Sequence, residues 1–144
     1  GVVAITPEVL KRFLEITGPI RLDQYDVTID SKNFIDLIQY QVEVAYDREE
    51  NRPKKILADL APILLGRLFG SGASAANVGK TLSAIEDALS EKHILFYSRN
   101  ADLESLVSRA GWSGEVLPSS RDYLSVINTN INGFKTDGVV KESV

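Results

Sequence analysis

The chain alternates short apolar runs with stretches in which apolar residues recur every three or four positions, the signatures of strands and amphipathic helices. Val2-Val3-Ala4-Ile5 predicts a short buried strand. Thr6-Pro7-Glu8 then offers an N-cap, a proline at the first helical position and an acid in the first turn. Val9, Leu10, Phe13 and Leu14 follow at helical spacing, and Gly18-Pro19 ends that helix. Tyr25–Ile29 alternates weakly and predicts a strand. Asp30 or Ser31 caps a second helix with Phe34, Leu37, Ile38, Val42 and Ala45 on one face. After the charged stretch Asp47-Arg48-Glu49-Glu50-Asn51-Arg52, Pro53 opens a third helix carrying Leu57, Leu60, Ala61, Leu64 and Leu68. Pro62 lies inside it and predicts a kink, because proline removes a donor and crowds the preceding turn.

Beyond the Gly/Ser-rich stretch Gly70–Ser74, Val78, Leu82, Ile85 and Leu89 mark a fourth helix. His93-Ile94-Leu95-Phe96-Tyr97 is the strongest strand signal, and Ala101–Ala110 predicts a fifth helix ended by Gly111. Tyr123–Ile131 and Gly138–Val144 alternate as strands on either side of an Asn/Gly-rich turn. Five helices alternating with four or five strands predict an α/β fold, a central β-sheet covered by helices in a layered sandwich. Residues 1–137 are expected to form a single α/β domain, with 138–144 starting a following strand or domain.

Composition narrows the function more than the fold. With 144 residues, 44% hydrophobic and 25% charged, the chain can bury a core without staples. Net charge of −4 argues against a nucleic-acid surface as its main business. Cysteine is absent, which excludes thiol chemistry and disulfides. Methionine is absent too, which predicts a piece excised from a longer protein, with any targeting or anchoring segment upstream of Gly1. The strand-like ends predict pairing with the rest of the parent chain.

Several motifs approach a known chemistry and miss it. Ser74-Ala75-Ala76-Asn77-Val78-Gly79-Lys80-Thr81 nearly spells a phosphate-binding loop, but serine replaces the first glycine and a helical pattern precedes it. Gly70-Ser71-Gly72-Ala73-Ser74-Ala75 lacks the preceding strand of a dinucleotide fingerprint, and Glu86 and Asp87 fall within a helix. Asn128–Gly133 imitates half a calcium loop whose twelfth position, Val139, is no ligand. His93 is the only histidine and reads as a helix-to-strand boundary residue. Trp112, between Gly111 and Gly114, reads as a plug at the core edge rather than a stacking platform. No metal site and no cofactor are expected. One constellation remains: Arg48, Arg52, Lys54 and Lys55, with Asp47 beside them, gathered where the third helix starts. Cations there oppose the helix macrodipole, and a docked anion would resolve the conflict. Glu49 and Glu50 offer the competing reading, internal surface ion pairs, which are common and weak.

Longer stretches carry a resemblance. Gly1-Val2-Val3-Ala4-Ile5-Thr6-Pro7, then Phe13-Leu14-Glu15-Ile16-Thr17-Gly18-Pro19-Ile20, resembles the bacterial domain-of-unknown-function 4012 family. So do His93–Ser98, Ala110-Gly111-Trp112, Asp122-Tyr123-Leu124 and Asn130-Ile131-Asn132-Gly133-Phe134-Lys135-Thr136-Asp137. The resemblance implies a bacterial cell-envelope domain, extracytoplasmic and membrane-anchored through upstream sequence, often associated with polysaccharide genes. The first half is also similar to the LytR–CpsA–Psr phosphotransferases, which attach lipid-pyrophosphate-linked glycopolymers to the cell wall. Val2–Ile20 resembles their strand–helix unit and Leu37–Leu65 their arginine-rich helix-loop-helix. The two pyrophosphate-binding arginines of those enzymes match Val42 and Val44 here, while Asp47, Arg52 and Lys55 match further polar positions. Valine cannot replace a bidentate phosphate ligand. The expected activity is therefore binding of a glycan, polyprenyl-phosphate or wall polymer without catalysis. The alternative is a diverged glycopolymer phosphotransferase completed by upstream residues, including its metal-binding acids.

Overall fold

In the computed structural model, which describes residues 1–43, 55–71 and 73–115, the first helical signal becomes α1 (Pro7–Thr17). Pro7 sits in the first turn, where its missing N–H costs nothing. Thr6 holds the N-cap position, but its side chain does not cap. Its Oγ1 instead lies 2.9 Å from Nδ1 of His93, which joins the two ends of the first strand pair. Gly18 stops the helix at φ 75° and ψ −177°, a conformation open in practice only to glycine, and returns its N–H to Leu14.

The chain then makes a hairpin that periodicity alone does not announce. β2 (Ile20–Leu22) runs through a 3-10 turn at Asp23–Tyr25 into β3 (Val27–Ile29), antiparallel, with Ile20 opposite Ile29. Tyr25, expected to begin the strand, lies in that turn, and β2 was not expected as a strand. Three residues are too few for a period-two signal, yet Ile20 and Leu22 are buried while Arg21 points out and pairs with Asp23 and Asp26. Of the two candidate caps for the next helix, α2 (Phe34–Glu43), the structure uses Asp30. Its Oδ1 accepts the N–H groups of Lys32 at 2.8 Å and Asn33 at 2.9 Å, and Asn33 Oδ1 accepts the N–H of Asp30 in return.

In α3 (Lys55–Phe69), Ile56, Leu60, Leu64 and Leu68 form an i, i+4 stripe that is fully buried. The helix continues through Pro62, which lies on the exposed side. Pro62 supplies no N–H to the Ala58 carbonyl, and both residues are exposed. Gly70 closes the helix with its N–H on Gly66 at 2.9 Å. A Cβ at Gly70 would stand 2.2 Å from that carbonyl oxygen, so no other residue fits. Arg67 reaches back from α3 to the carbonyl oxygen of Pro19 at 2.7 Å, and Asp59 accepts from Tyr25 Oη at 2.6 Å. These bonds fasten the hairpin to the helix.

α4 (Ala75–Ser90) begins at Ser74, whose Oγ accepts the N–H of Asn77. Its buried line runs through Thr81, Ala88 and Leu89, with Ile85 half-buried. Leu82, expected on that line, is 59% exposed because it is turned away by one residue, about 100°. The Thr81 hydroxyl is satisfied by the Asn77 carbonyl at 2.7 Å. β4 (Ile94–Tyr97) returns antiparallel to β1 (Val2–Ile5), Val2 facing Tyr97 and Ile5 facing Ile94. α5 (Ala101–Arg109), capped by Asn100, folds back so that the Trp112 carbonyl accepts the N–H of Phe96 at 2.9 Å.

The fold is mixed α/β. Among the described residues the strands pair as two small antiparallel sheets, β1–β4 and β2–β3, in place of the expected single central sheet. The hairpin joins α1, α2 and α3 in the main core, centred on Leu14, Ile20, Ile29, Phe34, Leu60 and Leu68. A smaller cluster of Val9, Ala88, Leu89 and Ile94 lies where α1 and α4 meet β4. Among the described residues no helix is long and apolar enough to cross a membrane. The expected strands Tyr123–Ile131 and Gly138–Val144, the half calcium loop, and the boundary at 137/138 lie outside the described residues.

Candidate functional site

Of the basic constellation, Lys55 alone is described: it is the exposed first residue of α3. Asp47, Arg48, Arg52 and Lys54 lie outside the described residues, as do Glu49, Glu50 and Val44. Val42 falls in the last turn of α2. The phosphate-loop look-alike is a plain loop-to-helix junction, preceded by α3 and capped by Ser74. His93 sits between α4 and β4, half-buried, with its carbonyl accepting the N–H of Thr6 at 3.0 Å. Trp112 stands at the edge of the smaller cluster, 6.3 Å from the Phe96 ring.

Next to the start of α3 the elements enclose an apolar cleft of about 430 Å³. Ile5, Thr6, Pro7 and Leu10 supply one wall from the β1–α1 junction, Phe34, Ile35 and Ile38 another from α2. Leu57 and Ala61 of α3 form the third. The cleft follows from helix geometry: α3 buries its Ile56 stripe in the core, which leaves the neighbouring Leu57 and Ala61 facing α2. Thr6 supplies the one hydroxyl of the lining, and its Oγ1 is engaged by His93. Among the described residues no buried side-chain polar atom lacks a partner, so the cleft offers hydrocarbon and little else. Its volume lies in the range of small-molecule sites, and its lining suits an aliphatic chain. Lys55 opens α3 two residues before Leu57, about 3 Å along the helix axis but about 200° around it, so its side chain leaves the helix on a different side from the cleft lining.

Two further cavities among the described residues are chemically different. One of about 550 Å³ between α1 and α4 is lined by Arg12, Glu15, Lys80, Asp87 and Glu91 beside Ile16 and Ala84. Arg12 there bonds to Glu91 and lies 3.6 Å from Glu8, and the Glu91 bond holds the guanidinium above its ordinary pKa. Another, of about 610 Å³, lies between Leu82, Ile85 and Leu89 of α4 and the Ala110–Trp112 turn. No group of three or more metal-ligating side chains occurs among the described residues.

Sequence reasoning pointed to the basic cluster, of which Lys55 alone is described, and missed the cleft. The lining of the cleft comes from positions 5 to 61, and no local pattern marks residues that meet only after folding. The one legible trace is the width of the apolar face of α3, where Leu57 and Ala61 flank the buried stripe. Comparison with protein-family models, curated proteins and solved structures found no match to this chain.

Proposed function

We propose that this chain is a bacterial cell-envelope domain that binds the lipid-linked, anionic end of a glycan or wall polymer without catalysis. In this reading the polyprenyl tail enters the cleft between Ile5, Leu10, Ile38 and Leu57. The phosphate is assigned to the basic stretch of sequence that holds Arg48, Arg52, Lys54 and Lys55, with Asp47 among them. The observation that carries the reading is the apolar cleft of about 430 Å³, whose hydrocarbon lining suits a polyprenyl tail, and the basic stretch that precedes α3 in the sequence suits an anionic end. The likeness to the domain-of-unknown-function 4012 family supports an extracytoplasmic setting with an upstream membrane anchor. The distant likeness to LytR–CpsA–Psr enzymes supports the lipid-phosphate ligand. Valine at 42 and 44 supplies no guanidinium fork, which favours binding over phosphoryl transfer. A layered sandwich around a larger sheet is proposed on the same footing, supported by the way α1 and α4 cover β4.

The reading is tested by calorimetry with a short-chain polyprenyl phosphate at low and high salt. The Arg52→Ala, Lys55→Ala double variant should weaken binding by about 2–4 kcal/mol if both contacts are charge-assisted. Ile35→Glu, a change at a half-exposed wall of the cleft, should weaken it by about tenfold while inorganic phosphate binding is unchanged. Full affinity in both variants would leave the ligand without a site.

A further inference from the structure

β1 is an unusual edge strand. Val2, Val3 and Ile5 are 60%, 59% and 54% exposed, and the strand carries none of the lysines, prolines or bulges that normally blunt an edge. Its hydrogen-bonding edge is open as well. Phe96 gives its N–H to Trp112, away from β1. By the alternation of an antiparallel pair, its opposite number Val3, and likewise Ile5 opposite Ile94, turn N–H and C=O away from β4. No strand lies on that side among the described residues. Both faces of the strand are apolar. Val3 and Ile5 share the face on which Ile94 and Phe96 meet α1 and α4, and Val2 and Ala4 share the face of Tyr97 and Leu95. The helices cover β4 and stop short of β1.

We propose that residues 123–131 of this same chain add to the open edge of β1 as a third strand. Three observations select this occupant. The described chain ends at Glu115 beside the sheet, where Gly114 approaches Leu95 and Trp112 bonds to β4. The residues from there to Tyr123 span up to about 26 Å when extended, more than the roughly 14 Å from the outer side of β4 across β1 to a new strand. Tyr123-Leu124-Ser125-Val126-Ile127 places apolar side chains on both faces, as a strand beside β1 requires. The later segment Gly138–Val144 carries Lys141 and Glu142 and fits that environment less well. The inference goes beyond the ligand reading, since it names an edge and a segment and holds whether or not a lipid is bound.

The test is residue-resolved amide hydrogen exchange on the full chain at low and high protein concentration. The Val3 and Ile5 amides should exchange at least about 100-fold more slowly than an open chain, equally at both concentrations. Val126→Pro should release those two amides while Leu14 and Leu68 stay protected. As a second measurement, a spin label on Ser125→Cys, the sole cysteine of that variant, should broaden Val3 and Ile5 most strongly. Fast exchange at Val3 and Ile5 in the full chain overturns the proposal. So does protection that grows with concentration, which would assign the edge to a second copy. Protection that survives Val126→Pro, or broadening centred on α5 instead of β1, overturns it too.

Discussion

The hairpin-and-helix half and the β1–β4–α5 half of this chain both carry apolar sequence, yet they place it differently. In the first, Ile29, Leu60 and Leu68 are wholly out of water, and polar links such as Tyr25 to Asp59 and Arg67 to Pro19 fasten element to element. In the second, α5 has no buried residue, Leu103 and Leu106 stand in solvent, and β1 is exposed along its length. Burial, not local propensity, separates the two: α5 has a well-formed cap at Asn100 and lacks a surface to lie on. Stability should therefore reside in the first half, and the second half should respond to whatever covers it.

The largest test of that contrast compares one leucine from each half. Leu60→Ala, at a position with no exposure, should cost about 2–5 kcal/mol in urea unfolding, whereas Leu103→Ala should stay within about 0.5 kcal/mol. Equal costs would mean that α5 is covered in the full chain. A smaller effect, about 1–3 kcal/mol, is expected for Gly18→Ala, because alanine must enter a backbone region that disfavours any Cβ. That change should lower the melting temperature without altering exchange at Val3 and Ile5, which sharpens the separation of the halves.

The smallest effect is electrostatic. The Asn33 and Lys32 backbone donors hold the Asp30 carboxyl below the ordinary carboxylate range. A lowered folded-state pKa contributes stability that is complete above the unfolded value, about 3.9, and is lost as pH falls through the folded value. Thermal unfolding of Asp30→Asn and the parent should differ at neutral pH and converge in that acidic window. Glu115, held low chiefly by the Ser108 hydroxyl and then by Ser113, titrates in the same direction in the other half. A Glu115→Gln change should produce a smaller difference, since fewer packed neighbours depend on it.

Much of the first half was legible because its helices carry the information locally. Pro7, Gly18 and the spacing of Leu10 and Leu14 define α1 without reference to anything distant. The Thr6 side chain was misassigned for the opposite reason: its partner, His93, lies 87 positions away and competes with the cap. Leu82 was assigned to a buried stripe because periodicity fixes an angle between residues but not which side of the helix meets the core. β2 escaped notice because the burial of Ile20 and Leu22 becomes meaningful only against Leu60 and Leu64. The candidate site divides in the same way. Its cations lie close together in sequence, and its cleft is assembled from β1, α1, α2 and α3.

The bond from Phe96 to the Trp112 carbonyl has a consequence for assembly. It occupies the outer side of β4, so among the described residues the sheet presents one open margin instead of two. A particle with two such margins polymerises, because each added copy regenerates the margin it consumed. With one margin, addition is self-terminating: a single strand, or one copy related by a two-fold axis, exhausts the capacity to grow. A single carbonyl contact beside a tryptophan thereby removes one of the two margins along which such a sheet could add copies.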